Sequence, residues 1–421
     1  MSEARPPGVA QPVFAGIIAA ITGFASSFAL VIAGLHAVGA DDAQASSGLL
    51  ALCLAVGLSS IVLAWILRVP ISFAWSTPGA ALLIAAGGAG MPFSTAVGAF
   101  LVSGALVVLC GFWPALGRAI TRIPRPIASA MLAGILFPIC IAPVTASVEQ
   151  PLLAIPVVLT WLVLFRLAPR WAVPAAMLVA AVGIALSAGT EWLQTAQIAP
   201  QLVATAPVFD PLAIVSLGLP LFIVTMAGQN VPGFAVMSTF GYRLAPRPAL
   251  VGSGIASVGA AFFGGHSVNL AAITAAIMAG PDSHPLREKR WVASFTAGFL
   301  YILLGLGAGV ATALVAASPP ILITAVAGLA LLGALVTAVT SALEEPSHRI
   351  TAIVTFLVTA SGVTIVGIGS AFWGLLVGGI VMAWLGWRRG ASQKPETPGS
   401  PPRGSGAPGS PGSDVEAAPD E

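Results

Sequence analysis

Apolar stretches about as long as a hydrocarbon core is thick, roughly 20 residues, alternate with short polar connections over residues 13–387. Fourteen such stretches can be read: 13–37, 47–67, 73–86, 93–113, 126–144, 152–165 and 172–188, then 212–240, 250–263, 268–279, 291–316, 321–342, 350–366 and 372–387. The pattern predicts an all-α polytopic membrane protein. The third and tenth stretches are short and open on polar, Gly- and Pro-broken sequence, Phe73-Ala74-Trp75-Ser76-Thr77-Pro78-Gly79 and Gly264-Gly265-His266-Ser267-Val268-Asn269. Hydrocarbon punishes unpaired backbone groups, so a broken span survives only where protein or a water-lined cavity satisfies it. Paired interruptions in two halves of a chain point to a transporter binding site.

Composition agrees: 57% of the 421 residues are hydrophobic and 8% are charged, against about 25% charged in soluble domains. A net charge of +2 is too small to suggest nucleic acid. Cys53, Cys110 and Cys140 all lie in apolar runs and read as small core residues, not as a disulfide or metal framework. No cofactor is expected. The apolar segment after the polar start is long and lacks a clear cleavage site, so a cleavable signal peptide is not expected.

Charge placement sets the expected topology, because cytoplasmic loops are enriched in Lys and Arg. With the N-terminus inside, all 17 basic residues fall on the inner side, among them Arg68, Arg118, Arg122, Arg125, Arg166, Arg170, Arg243, Arg247 and Arg349. The outer loops hold Asp41, Asp42, Glu149, Glu191 and Asp210. If the two broken segments did not cross, Arg118, Arg122 and Arg125 would lie outside, so both are counted as spans. The expected organisation is a cytoplasmic N-terminus (1–12), a first repeat of seven spans (13–189), an outer loop (190–211), a second repeat of seven spans (212–389) and a disordered cytoplasmic tail rich in Pro, Gly and Ser (390–421).

The halves resemble each other at a nearly constant offset. Ala33-Gly34 through Gly39 matches Ala227-Gly228 through Gly233, Pro126-Ile127 and Ala133-Gly134 match Pro320-Ile321 and Ala327-Gly328, and Trp75-Ser76 falls against His266-Ser267. Each match alone is weak among small residues that also pack transmembrane interfaces; three in order favour a repeat. Seven spans per copy invert the second copy relative to the first.

No Asp or Glu lies in the middle of any span, so the chain offers no carboxylate proton relay. His36 and His266 are the ionisable candidates at membrane depth. His266 either exchanges a proton or caps loose backbone groups; its place in a broken helix favours function. His36, near the end of the first span, is as readily structural. Gln229 and Asn230, just before Pro232-Gly233, either read a carboxylate or cap a kinked helix. Ser76 and Thr77 before Pro78, and Ser267 and Asn269 before the second apolar run, suit helix N-caps. Two such half-helix starts facing each other near the midplane present N–H groups and positive dipole ends, an anion site without Arg or Lys. Trp75 and Phe73 beside it can pack on an aromatic ring.

The stretch from Pro70 to Gly79, the run Gly228-Gln229-Asn230-Val231-Pro232-Gly233 and the stretch from Gly264 to Thr274 together resemble those of the bacterial benzoate–proton symporter family, a likeness that spans 13–387. The resemblance implies the inverted-repeat fold shared with bacterial uracil permease and the sulfate and bicarbonate carriers. Spans one to four and eight to eleven would form a core domain; spans five to seven and twelve to fourteen would form a gate. It implies a site between spans three and ten lined by Trp75, Ser76, Thr77, Gln229, Asn230, His266, Ser267 and Asn269, and often a homodimer. The uracil carriers place acidic residues in spans eight and ten; this chain has Gln229, Asn230 and His266 there, which disfavours a nucleobase. The expected function is import of benzoate or a related aromatic carboxylate with protons across a bacterial inner membrane. The alternatives are a same-fold carrier of another anion or a nucleobase, and an anion channel. An intramembrane enzyme would need a metal cluster or catalytic dyad, and the spans show no HExxH motif or carboxylate pair; a receptor would lack a signalling domain.

Overall fold

Because the apolar runs are punctuated by Pro, Ser and Gly, the chain breaks into helices of unequal length. The computed structural model describes residues 8–87, 90–113, 115–116, 123–188, 199 and 201–390. The described residues up to Met382 form one compact unit, and the described part of a second unit, 383–421, is helical. In chain order the elements are α1 (Ala10–Ala25), α2 (Phe28–Ala37), α3 (Asp42–Leu67), β1 (Phe73–Trp75), α4 (Thr77–Ala86), α5 (Phe93–Phe112), α6 (Arg125–Glu149), α7 (Pro151–Leu167) and α8 (Pro169–Ala188). There follow α9 (Pro211–Thr239), α10 (Pro246–Ala261), β2 (Val268–Leu270), α11 (Ile273–Ala279), α12 (Trp291–Gly305), α13 (Ala308–Ala316), α14 (Pro320–Leu343), α15 (Arg349–Ala360) and α16 (Ser370–Gly390).

Among the described residues, seven helical stretches are long and apolar enough to cross a membrane, or eight if the α12–α13 pair, bent by 56°, counts as one. Expected spans 152–165, 250–263 and 350–366 are helices of 17, 16 and 12 residues. The 13–37 run is divided at Ser26-Ser27, whose hydroxyls both bond back to the Gly23 carbonyl at 3.0 Å; such back-bonding bends helices. Long apolar side chains line the outside, including Leu58, Val62 and Ile66 on α3 and Leu152, Leu159 and Leu162 on α7, as befits a protein whose solvent there is lipid.

Helices cannot be driven together by a hydrophobic effect in lipid, so small residues set their approach. Gly57 of α3 and Gly298 of α12 face each other so closely that a Cβ on either would meet the other's carbonyl oxygen at 2.6–2.7 Å. Leu49 and Leu52 of α3, Phe100 of α5, Met131, Ile135 and Leu136 of α6 and Phe73 of β1 are fully buried.

The two interrupted segments meet. β1 and β2 pair antiparallel, Phe73 opposite Leu270, Ala74 opposite Asn269 and Trp75 opposite Val268. The ladder continues at both ends, with Ser76 N donating to Ser267 O at 3.1 Å and Ala271 N to Ser72 O at 2.9 Å. A short buried ribbon leaves its outer-edge N–H groups to be satisfied by side chains. Ser257 on α10 takes the Val268 N–H at 2.8 Å, its own hydrogen shared between the carbonyls of Ser253 at 2.8 Å and Val268 at 3.1 Å; Asn230 Oδ1 takes the Leu270 N–H at 2.9 Å; Ser60 takes the Phe73 N–H at 3.4 Å. Gly264, at φ +89°, makes the turn from α10 into this ribbon.

The pairing corrects one expectation. Ser267 and Asn269 are not N-caps of a half-helix. Ser267 ends the ladder, Asn269 is the middle residue of β2, and α11 begins only at Ile273, with Ala272 at its cap and no side-chain cap bond. The bonds of the ribbon hold this backbone extended past the point where the apolar run begins.

Candidate functional site

Around the ribbon, polar side chains from three segments converge. On the first, Ser76 is the N-cap of α4: its Oγ accepts from the Gly79 N–H at 3.0 Å, and Pro78 occupies the first turn. On the second, His266 and Ser267 enter β2. The third is α9, which is π-helical over Ile214–Gly218 and Met226–Asn230. An i→i+5 turn sets residues five apart nearly above one another, and this turns both Thr225 and Asn230 toward the ribbon. Thr225 Oγ1 donates to Ser76 Oγ at 3.0 Å and lies 3.3 Å from Ser267 Oγ. Ser76, Thr225, Asn230, His266, Ser267 and Asn269 are all fully buried.

The hydrogen-bond partners assign the ambiguous side chains. His266 Nε2 lies 3.0 Å from the Ser76 carbonyl oxygen. A carbonyl only accepts, so Nε2 carries the hydrogen. Nδ1 has no partner among the described residues, and neither has Asn269 Oδ1, whose Nδ2 donates to the Leu270 carbonyl at 2.8 Å. The site thus holds two buried acceptors without donors, an arrangement that calls for a hydrogen, such as a proton taken up at Nδ1, because an unpaired buried polar atom costs about 1–3 kcal/mol. Phe100 meets the His266 ring edge-on at 6.4 Å between centroids.

The other expected residues divide. Gln229 Nε2 reaches Thr77 Oγ1 at 3.3 Å, and both residues are only half-buried, at the rim of the cluster. Asn230 is committed to the fold, with Oδ1 on Leu270 N and Nδ2 3.3 Å from Met226 sulfur. Trp75 is held by protein: its indole N–H donates to Ser27 Oγ at 2.9 Å, and its ring lies edge-on to Phe24 and Tyr301 at 6.0 and 5.7 Å. His36 sits at the α2–α3 junction, 3.4 Å from Asp42 Oδ1. Thr225, Ser257 and Ser27 were not anticipated. A single hydroxyl in an apolar run gives no signal; for Thr225 the only clue was its place one turn before Gln229-Asn230. Among the described residues no group of His, Cys, Asp and Glu could hold a metal ion.

The family described as benzoate membrane transport protein matches residues 8–384. The inner membrane protein YdcO of Escherichia coli is 42% identical over 369 residues, covering 87% of this chain and 94% of that protein. The benzoate membrane transport protein of Acinetobacter baylyi is 32% identical over 369 residues, covering 86% of this chain and 92% of its own. Among solved structures, the transmembrane domain of a cyanobacterium bicarbonate transporter, BicA, superposes with a TM-score of 0.53 at 15% identity, covering 87% of this chain and 96% of that one. The murine Slc26a9 anion transporter in its inward-facing state gives 0.59 at 12% identity, covering 92% and 69%. At these identities the structural likeness concerns the fold.

Proposed function

The chain belongs to the benzoate membrane transport protein family, and on that premise we propose that this membrane transporter imports benzoate or a related aromatic carboxylate together with protons. The observation that carries the reading is the meeting of the two interrupted segments in one buried ribbon, with the capped start of α4 and the lone pair of His266 both beside it. The carboxylate binds at the N-terminus of α4, where backbone N–H groups and the positive dipole end favour an anion. Thr77 and Gln229 at the rim and Ser76 within read its oxygens; Ser267 and Asn269 close the far side. Trp75 acts by keeping β1 in place through Ser27, Phe24 and Tyr301. The anion gains from one capped helix start, not from two opposed ones, since α11 starts beyond the ribbon.

Inward movement of a monoanion alone opposes an inside-negative potential by roughly 2.3 kcal/mol per 100 mV. Uptake of a proton, with His266 Nδ1 as its acceptor, offsets that charge. His36, paired with Asp42, is the weaker candidate.

The same reading includes fourteen crossings as a seven-plus-seven inverted repeat, both termini cytoplasmic, in a bacterial inner membrane. Antiparallel pairing of β1 with β2 is what two copies related by an in-plane two-fold axis require. Spans one to four and eight to eleven make the core, the remainder the gate, and a homodimer is the expected assembly. The test is radiolabelled benzoate uptake in proteoliposomes with an imposed pH gradient. Proton-driven accumulation is expected. Uptake indifferent to the gradient would reject symport. Competition by sulfate or bicarbonate without effect of benzoate would move the chain to another anion, and large unitary currents without accumulation would make it a channel.

A further inference from the structure

A hydroxyl has one hydrogen to give and two lone pairs to receive with, and that count gives the buried hydroxyls of the ribbon a direction. Thr225 spends its single hydrogen on Ser76 Oγ, at 3.0 Å. In the 3.3 Å contact between Thr225 and Ser267, the hydrogen must therefore come from Ser267. Ser76 Oγ already receives the Gly79 N–H at 3.0 Å, a bond whose direction cannot reverse because an amide only donates. With Thr225 filling the second lone pair, Ser76 can accept no more. Its own hydrogen has no acceptor among the described residues, although the side chain is fully buried.

We infer that Thr225 is a positioning residue for substrate: the chain Ser267→Thr225→Ser76 presents the Ser76 O–H as an obligate donor to a carboxylate oxygen at the start of α4. The inference rests on the reading of the ribbon as the substrate site and adds to it the residue that sets the site's polarity. Each O–H in such a chain polarises the next, so the terminal donor suits an anionic oxygen better than a neutral one. A guest offering only N–H donors at this point would meet a hydrogen with a hydrogen. The π-helical turn after Thr225 is part of the device, because Thr225 and Asn230 must face the ribbon together, one to aim Ser76 and the other to hold β2.

The test uses the full-length protein in proteoliposomes and compares wild type with Thr225→Val, Thr225→Ser, Ser76→Ala and the Ser76→Ala/Thr225→Val pair. Valine keeps the shape but frees a lone pair on Ser76 that can swing toward the anion. A hydrogen bond to a charged group is at stake, so Thr225→Val should raise the KM for benzoate by about tenfold or more while Vmax changes by less, and Thr225→Ser should stay within about threefold of wild type. In the Ser76→Ala background, Thr225→Val should add little further, since the hydroxyl it aims is gone. A merely structural Thr225 would give additive losses and no separation of KM from Vmax. Thr225→Val matching wild type, or additive effects in the pair, would overturn the chain alone. Wild-type protein that neither binds nor moves benzoate would overturn the substrate reading and the chain with it.

Discussion

Asn230 gives both ends of its amide to the protein, to Leu270 N–H and Met226 sulfur, whereas its neighbour Gln229 reaches only Thr77 at the rim. From the sequence the two were equivalent candidates for reading substrate or capping backbone; their burial and partners separate the roles. Asn230→Leu strands a buried N–H and should cost about 1–3 kcal/mol, visible as a lower melting temperature in detergent. Gln229→Leu should leave melting close to wild type and raise the KM for benzoate. Equal melting losses for the two would contradict the assignment. His266 offers a second contrast. Gln at this position can still donate to the Ser76 carbonyl but cannot exchange a proton near neutral pH. Flux down a benzoate gradient should then persist in His266→Gln while the response to an imposed pH gradient disappears; a variant still driven by protons would move the coupling elsewhere.

Between residues and the whole lies the ribbon, an element that periodicity alone could not deliver. Six residues in two strands are held in the interior because Ser257, Asn230 and Ser60 satisfy edge N–H groups from other helices. Its entry turn depends on Gly264, whose φ of +89° a side chain rarely adopts and where a Cβ would lie 3.2 Å from the Gln44 carbonyl. Gly264→Ala should therefore cost about 1–3 kcal/mol, measured by thermal melting. Gly259→Ala, in α10 with open space around it, should be neutral or stabilise by up to about 1 kcal/mol. The opposite order would mean that the turn is not what holds β2 in register.

Across the molecule, the strongest constraint is the side on which charge falls. On the proposed topology, with the N-terminus cytoplasmic and β1 with α4 crossing the membrane, Arg68, before that crossing, and Arg125, two crossings later at the start of α6, share the cytoplasmic side, and Glu149, at the far end of the 25-residue α6, lies opposite. Single Cys replacements at these exposed positions test it with a membrane-impermeant thiol reagent, the three native Cys being buried. Glu149→Cys should label on intact cells, and Arg68→Cys and Arg125→Cys only after permeabilisation. Arg125→Cys labelled from outside would remove the third crossing and the inverted repeat together.

What the amino-acid order determined by itself is the solvent: long apolar runs with charge confined to their ends can only be stable in lipid, and two Gly- and Pro-broken runs mark where backbone must be satisfied by something other than its own helix. It also marked Ser76 as a cap, because a serine before Thr-Pro-Gly is local chemistry. The tertiary structure decided what local chemistry cannot contain. The pairing of residues 73–75 with 268–270 joins positions nearly two hundred apart, the placement of Ser267 and Asn269 in an extended strand and not at a helix start follows from that pairing, and the turning of Thr225 inward depends on π-helical hydrogen bonds that leave no trace in residue order. Hydrogen bonds between distant segments are chosen by the whole fold, since each buried N–H must find a partner somewhere and the sequence nearby does not say where.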